Sequence, residues 1–235
     1  MYVCLSVIGV SFCGFGMLCA AGLAFLLRYK AQDGIESKHI IGLMTLSEMK
    51  KMPVTYWLHT TGLAFAAACW ICKQDNLPDY LEWRYGYTMT EASYITGTSA
   101  MMFILSPFFT IVLKKFDCDG VMVTLVSILM IPLYVLLGFC QSVNVYAIAL
   151  LDGTFCSLFS LLAMQIAVML CPANYVGTLS GVLYFVRNII VALAFVAAGY
   201  ILEKHSLTNL TKTMDGYKNF FLMAIAMSSV ASVLW

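Results

Sequence analysis

The chain has 235 residues, 62% hydrophobic and only 11% charged, with 13 Lys and Arg against 12 Asp and Glu. A soluble domain carries about 25% charged residues, so lipid rather than water is the expected solvent for much of this surface. The net charge of +1 lacks the basic excess that a nucleic-acid partner would require.

A bilayer core of about 30 Å takes roughly 20 apolar residues per helix. The first apolar run, residues 3–27, is too long for a secretory leader and has no basic residue before it, so it is expected to stay as a span. Residues 28–53 then form the longest polar break, mixed in charge. Six further apolar runs follow at about 54–72, 93–113, 120–140, 145–170, 178–202 and 218–235. Lys73–Glu91, Lys114–Asp119, Gln141–Asn144, Cys171–Gly177 and Glu203–Tyr217 separate them. The runs are continuous rather than alternating, which excludes a β-barrel and predicts helices that satisfy their own backbone in lipid. The expected fold is all-α, a polytopic transmembrane bundle of about seven spans. Its parts are a lone span at 1–27, a cytoplasmic linker at 28–53 and a six-helix bundle at 54–235. Most of the nine cysteines fall in or beside apolar runs, where Cys behaves as a small hydrophobe and no disulfide framework is implied.

Lys and Arg set the orientation. Loops on one side hold seven of them, Arg28, Lys30, Lys38, Lys50, Lys51, Lys114 and Lys115. The other side holds five, Lys73, Arg84, Lys204, Lys212 and Lys218. The first side, with the 28–53 linker, is therefore expected in the cytoplasm. Asn209-Leu210-Thr211, an N-glycosylation sequon, falls on the opposite side.

Of the 25 Asp, Glu, Lys and Arg residues, only Asp152 and Arg187 fall well inside predicted spans. An ionisable group in a membrane is costly unless paired or hydrated, so both are candidate functional residues. At about 1.5 Å per residue they lie roughly 10 and 15 Å deep, approached from opposite sides. Arg187 suits a substrate carboxylate, because its planar guanidinium can bind one through two hydrogen bonds. Asp152 is then its counter-ion or a proton carrier. The other reading is a structural ion pair between two helices. Asn188 and Gln165 are amides within spans, able to bond either a substrate or a neighbouring helix. His59, the one histidine inside a span, is either a group that titrates at acidic pH or simply a hydrogen-bonded ring.

Tyr85-Gly86-Tyr87, Glu91-Ala92-Ser93, Ser106-Pro107 and Pro172 come in that order along the chain. They are followed by Val176-Gly177-Thr178-Leu179-Ser180-Gly181, Asn188 and Ala198-Gly199-Tyr200-Ile201-Leu202. In order and spacing the chain resembles the major facilitator superfamily over about residues 54–235, and within it the lysosomal dipeptide transporter branch. The resemblance implies the C-terminal half of a twelve-helix fold, with residues 1–27 as its sixth helix. It further implies transport of dipeptides or related small solutes across a lysosomal membrane, with the plasma membrane as the alternative. A glycosylated lysosomal accessory membrane protein would then be a partner, and a homodimer could rebuild two halves.

Family members carry a charged gating loop after the third of these spans. Here the corresponding segment is Thr110 to Cys118, containing Lys114, Lys115 and Asp117. Thr110 stands where the family has glycine and Lys114 where it has aspartate, which reverses a charge in the gating contact.

No Walker or G-x-G-x-x-G pattern occurs, and no Ser/His/Asp or zinc-ligand set is visible. Neither an ATP-driven pump nor an enzyme is expected, and no cofactor or metal. The rival readings are a transporter of another solute class, such as a sugar or an organic anion, and a membrane scaffold that transports nothing.

Overall fold

The computed structural model describes residues 49–113, 115, 119–140, 142–172, 175–204 and 210–235. The expected span at 3–27 and most of the 28–53 linker lie outside these residues, as do Lys114, Asp117 and Asn209. The described chain is helical throughout, and no strand occurs among the described residues.

Helix α1 covers Val54–Tyr85 and is the longest at 32 residues. It ends because Gly86 turns left-handed at φ 70°, with its N–H donating to the Glu82 carbonyl at 3.1 Å. Helix α2, Met89–Met101, starts on a reciprocal cap. The Thr88 Oγ1 accepts from the Glu91 N–H at 3.3 Å, and Glu91 Oε2 accepts from the Thr88 N–H at 2.9 Å. A 3-10 turn at Met102–Leu105 leads into α3, Ser106–Leu113. Pro107 lacks the N–H that an α-helix would offer to the Phe103 carbonyl. The Ser106 hydroxyl donates to that carbonyl instead, at 2.7 Å. Helices α4 (Asp119–Phe139), α5 (Val145–Leu170), α6 (Val176–Lys204) and α7 (Leu210–Leu234) complete the bundle.

Five segments are long and apolar enough to cross a membrane: Met89–Leu113, Asp119–Phe139, Val145–Leu170, Val176–Glu203 and Met214–Leu234. The protein is a multi-pass α-helical membrane protein. Helix α1 is not one of the five, since His59, Thr60, Thr61 and Gly62 dilute its apolar half and Lys73 follows.

One boundary and the cover of two helices differ from the expectation. The polar break placed at Lys73–Glu91 is helical as far as Tyr85. Cys69, Lys73, Leu77, Tyr80 and Leu81 are all buried, so one helical face continues inward past the end of the apolar run. The runs at 120–140 and 218–235 carry almost no ionisable or amide group, so their sequence predicts that they face lipid. They are nevertheless well covered: 39% and 33% of the residues in the apolar windows of α4 and α7 are buried, against 11% in α2–α3 and in α6. The reason is packing. Helix α7 lies against α1 and α4, and α4 against α5, with Tyr80, Tyr134, Phe220 and Phe221 filling the space between them.

Candidate functional site

Two polar centres occur within the bundle. The first is built where α1, α2 and α5 meet. Lys73 Nζ and Asp152 Oδ2 form a salt bridge whose side chains are only 2% and 3% exposed. The Ser99 hydroxyl donates to the same Asp152 oxygen at 3.2 Å. Ser99 reaches Asp152 because the neighbouring Gly153 has no side chain. A Cβ there would stand 2.2 Å from the Ser99 carbonyl oxygen, so α2 rests on the bare backbone of α5. On its other side the Lys73 ammonium lies 5.5 Å from the centre of the Tyr134 ring. A cavity of about 10 Å³ adjoins Lys73, Tyr134 and Asp152, and Asp152 Oδ1 has no hydrogen-bond partner.

This arrangement corrects the expected pairing. The ionic partner of Asp152 is Lys73, not Arg187, and Lys73 is a third ionisable residue inside the helical bundle. Sequence reasoning placed Lys73 in a loop because Gln74-Asp75-Asn76 follows it. Its inward placement shows only in the packing of the helix. No glycine occurs between Gly62 and Gly86, and the buried positions keep helical spacing through Leu81. Removing Lys73 from the loops also lowers the non-cytoplasmic tally of basic residues from five to four, which strengthens the charge asymmetry slightly.

The second centre lies around Arg187. Two cavities meet there. One, of about 240 Å³, is bordered by Trp70 of α1, Phe103, Met130, Cys156, Ser160, Met164, Tyr184 and Arg187. The other is a cleft of about 1310 Å³ that shares Phe103, Ser160 and Met164 with it and extends to Gln165 and Asp119. The Arg187 guanidinium sits 5.6 Å from the Tyr184 ring centre, a stacking contact rather than an ion pair. The described ion pairs are Lys73–Asp152 and Lys218–Asp215, so Arg187 has no carboxylate partner among the described residues. Trp70 and Phe103 form one wall, with ring centres 5.5 Å apart. In the adjoining cleft the Ser106 and Ser157 hydroxyls bond each other at 2.9 Å.

The remaining expected residues are scattered. Gln165 borders the large cleft. Asn188 is exposed on α6, beside Arg187 in sequence but not among the residues of the smaller cavity. His59 is 3% exposed, and its Nε2–H donates to the Ala163 carbonyl at 3.0 Å. The Trp235 ring stands edge-on to it at 4.3 Å. His59 thus ties α1 to α5 and borders neither cavity of the second centre. Lys115 is exposed, with its N–H donating to the Val112 carbonyl at 3.1 Å. Lys114, Asp117 and Asn209 lie outside the described residues.

No family model matches the sequence, and no curated protein matches it.

Proposed function

We propose that the protein carries small organic solutes across a membrane and that Arg187 holds the solute's carboxylate. The observation that supports this reading most directly is the unpaired guanidinium at an aromatic-walled cavity. A positive charge inside a membrane bundle is costly unless something compensates it, and the pairing of Asp152 with Lys73 removes the obvious internal counter-ion. A carboxylate brought by a ligand would provide the compensation, and arginine binds one in a fixed planar geometry. The cavity has the composition of a small-molecule site, largely apolar and aromatic with a few polar groups.

The resemblance to the major facilitator superfamily supports secondary transport, with dipeptides as solutes and the lysosome as location. In that scheme residues 54–235 supply one of two repeats that rock about a site between them.

Counterflow tests the reading. Proteoliposomes containing the purified chain are loaded with unlabelled dipeptide, and entry of labelled dipeptide is followed. Uptake is expected for the native chain. Arg187→Ala is expected to abolish it while the amount of folded protein, read by gel filtration, is unchanged. No uptake of any solute tested by the native chain would sink the transporter reading. Loss of folded protein with Arg187→Ala would make Arg187 structural.

A further inference from the structure

The segment Met89–Leu113 is long and apolar enough to cross a membrane, yet it is not one helix. Residues Met102–Leu105 wind as a 3-10 turn, and the cause is local. An α-helix would bond the Phe103 carbonyl to the N–H of residue 107, and Pro107 has none. The Ser106 N–H, only three residues on, donates to that carbonyl, and so does the Ser106 hydroxyl, at 2.7 Å. A hydroxyl carries one proton, so the proton in the 2.9 Å bond between Ser106 and Ser157 comes from Ser157. That bond pins the bend to α5. Beyond it the Thr110 hydroxyl donates back to the Ser106 carbonyl at 2.9 Å, a pattern that also bends helices.

The two sides of the bend are held unequally. Helix α2 rests on α5 at Gly153, its Ser99 bonds Asp152, and Ala92, Ile95 and Ser99 are buried. Helix α3 buries Leu113 alone and leaves Phe108, Ile111 and Val112 exposed. A segment with few buried contacts opens at low cost, and a 3-10 stretch or a proline within a helix is where its direction changes.

The cleft gives the bend a use. Phe103 and Ser106 border it at the bend and Leu113 at the far end of α3, with Ser157 and Leu170 of α5 and Asp119 of α4 on its other sides. Phe103 lies in the 3-10 turn itself and also borders the Arg187 cavity, where its ring faces Trp70. Turning α3 about the bend therefore changes the width of the cleft at Leu113. It also moves the residue at which the cleft joins the Arg187 cavity.

We propose that α3 is a hinged gate with the Met102–Leu105 turn as its pivot, which opens and closes the cleft leading to Arg187 while α2 stays fixed on α5. The proposal rests on the solute-carrier reading and gives it a moving part. Pro107 keeps the pivot soft, and Ser157 holds it in the arrangement seen here. At 1.5 Å per residue Val112 lies about 9 Å beyond Ser106, so a swing of about 25° carries it about 4 Å.

Electron-electron spin-resonance distances in nanodiscs test the gate without any ligand. The nitroxides are placed on a genetically introduced keto amino acid, which leaves the cysteines in place. Val112 on α3 is measured against Val233 on α7 and against Leu125 on α4, so that movement in more than one direction registers. Tyr94 on α2 against Leu222 on α7 is the reference; all five positions are exposed. Two populations about 4 Å apart are expected for Val112 and one for Tyr94. Pro107→Ala supplies the missing N–H and should merge the Val112 populations into one. Ser157→Ala removes the pin and should shift weight to the second population. In counterflow of alanyl-alanine, Pro107→Ala should be slower by about tenfold.

A single Val112 population that neither variant alters would overturn the hinge. Equal movement of Tyr94 and Val112 would mean that the whole span moves as one rod, and would overturn it too. Merged populations in Pro107→Ala with counterflow at the native rate would leave a hinge that gates nothing, and the proposal would fall. The expected distances and variant effects without counterflow of any solute by the native chain would uphold the hinge and sink the carrier.

Discussion

Lys73 and Asp152 illustrate how a buried charge pair works as a lock. Taking two charges out of water is expensive, and their attraction in a low-dielectric interior repays that only when geometry and extra hydrogen bonds are good. Here Ser99 supplies an added bond and the Tyr134 ring faces the ammonium. Removing one partner leaves the other buried and uncompensated, which costs about 3–5 kcal/mol, while replacing both with apolar side chains is often neutral. Lys73→Met alone and Asp152→Leu alone are therefore expected to lower the thermal midpoint of the detergent-solubilised protein sharply. The double variant should recover most of the loss. Size-exclusion profiles after heating read this directly. If the double variant is as unstable as either single one, the two charges do not act as a pair. Asp152 could be singled out from sequence because a carboxylate amid an apolar run has no other explanation. Lys73 could not, because its neighbours Gln74, Asp75 and Asn76 read as loop. Only the tertiary setting reveals that one side of that polar stretch faces inward.

At the level of elements, the bundle depends on two kinds of helix contact that a list of spans does not contain. The first is bare backbone against backbone at Gly153, where α2 meets α5 and Ser99 reaches Asp152. Gly153→Ala would drive a methyl into the Ser99 carbonyl oxygen, 2.2 Å from the ideal Cβ position, and should destabilise the protein as much as losing Lys73. Gly97→Ala on α2 is the control. Nothing lies within 4 Å of its added carbon, and alanine is the better helix former by about 1 kcal/mol. A loss at Gly153 no larger than at Gly97 would mean that the close crossing at Gly153 does not decide stability. The second contact is a set of donors from the end of α1 to the last carbonyls of α4. Tyr80 Oη donates to Leu137 O at 2.6 Å, and Arg84 reaches the Gly138 and Cys140 carbonyls, each at 3.1 Å. These carbonyls have no partner within their own helix, so side chains supply one. Tyr80→Phe keeps the ring among Tyr85, Tyr217 and Phe221 and removes one buried bond. It should cost about 1–2 kcal/mol, seen as a modest fall in the thermal midpoint. The cores of five helices were legible from hydropathy, because lipid demands long apolar runs. The extension of α1 and both kinds of contact were not, because they follow from which helix lies beside which.

For the whole molecule, the arrangement of spans makes a claim about sidedness that two cysteines can test. Helix α5 runs from Val145 to Leu170, 26 residues, or about 39 Å at 1.5 Å per residue. That length exceeds a hydrocarbon core of about 30 Å. Cys140 precedes α5 and is exposed, while Cys171 follows it and is partly exposed. If α5 crosses the membrane, these two thiols lie on opposite sides. If the 28–53 segment is cytoplasmic, as the Lys and Arg distribution predicts, and α1 crosses the membrane along with the five apolar segments, alternation puts Cys140 on the far side and Cys171 on the cytoplasmic side. Cys140 and Cys171 would be tested one at a time in chains whose other cysteines are replaced by alanine. With right-side-out vesicles, an impermeant maleimide is expected to label Cys140 at once and Cys171 only after permeabilisation. A glycan on Asn209 should appear on the Cys140 side, and Asn209→Gln should remove it as a gel shift. The reverse labelling pattern would invert the assigned orientation and keep the spans. Labelling of both thiols from one side would mean that α5 does not cross. The solute pathway proposed past Arg187 would then lose its frame, since Ser157, Ser160, Met164 and Gln165 all stand on that helix.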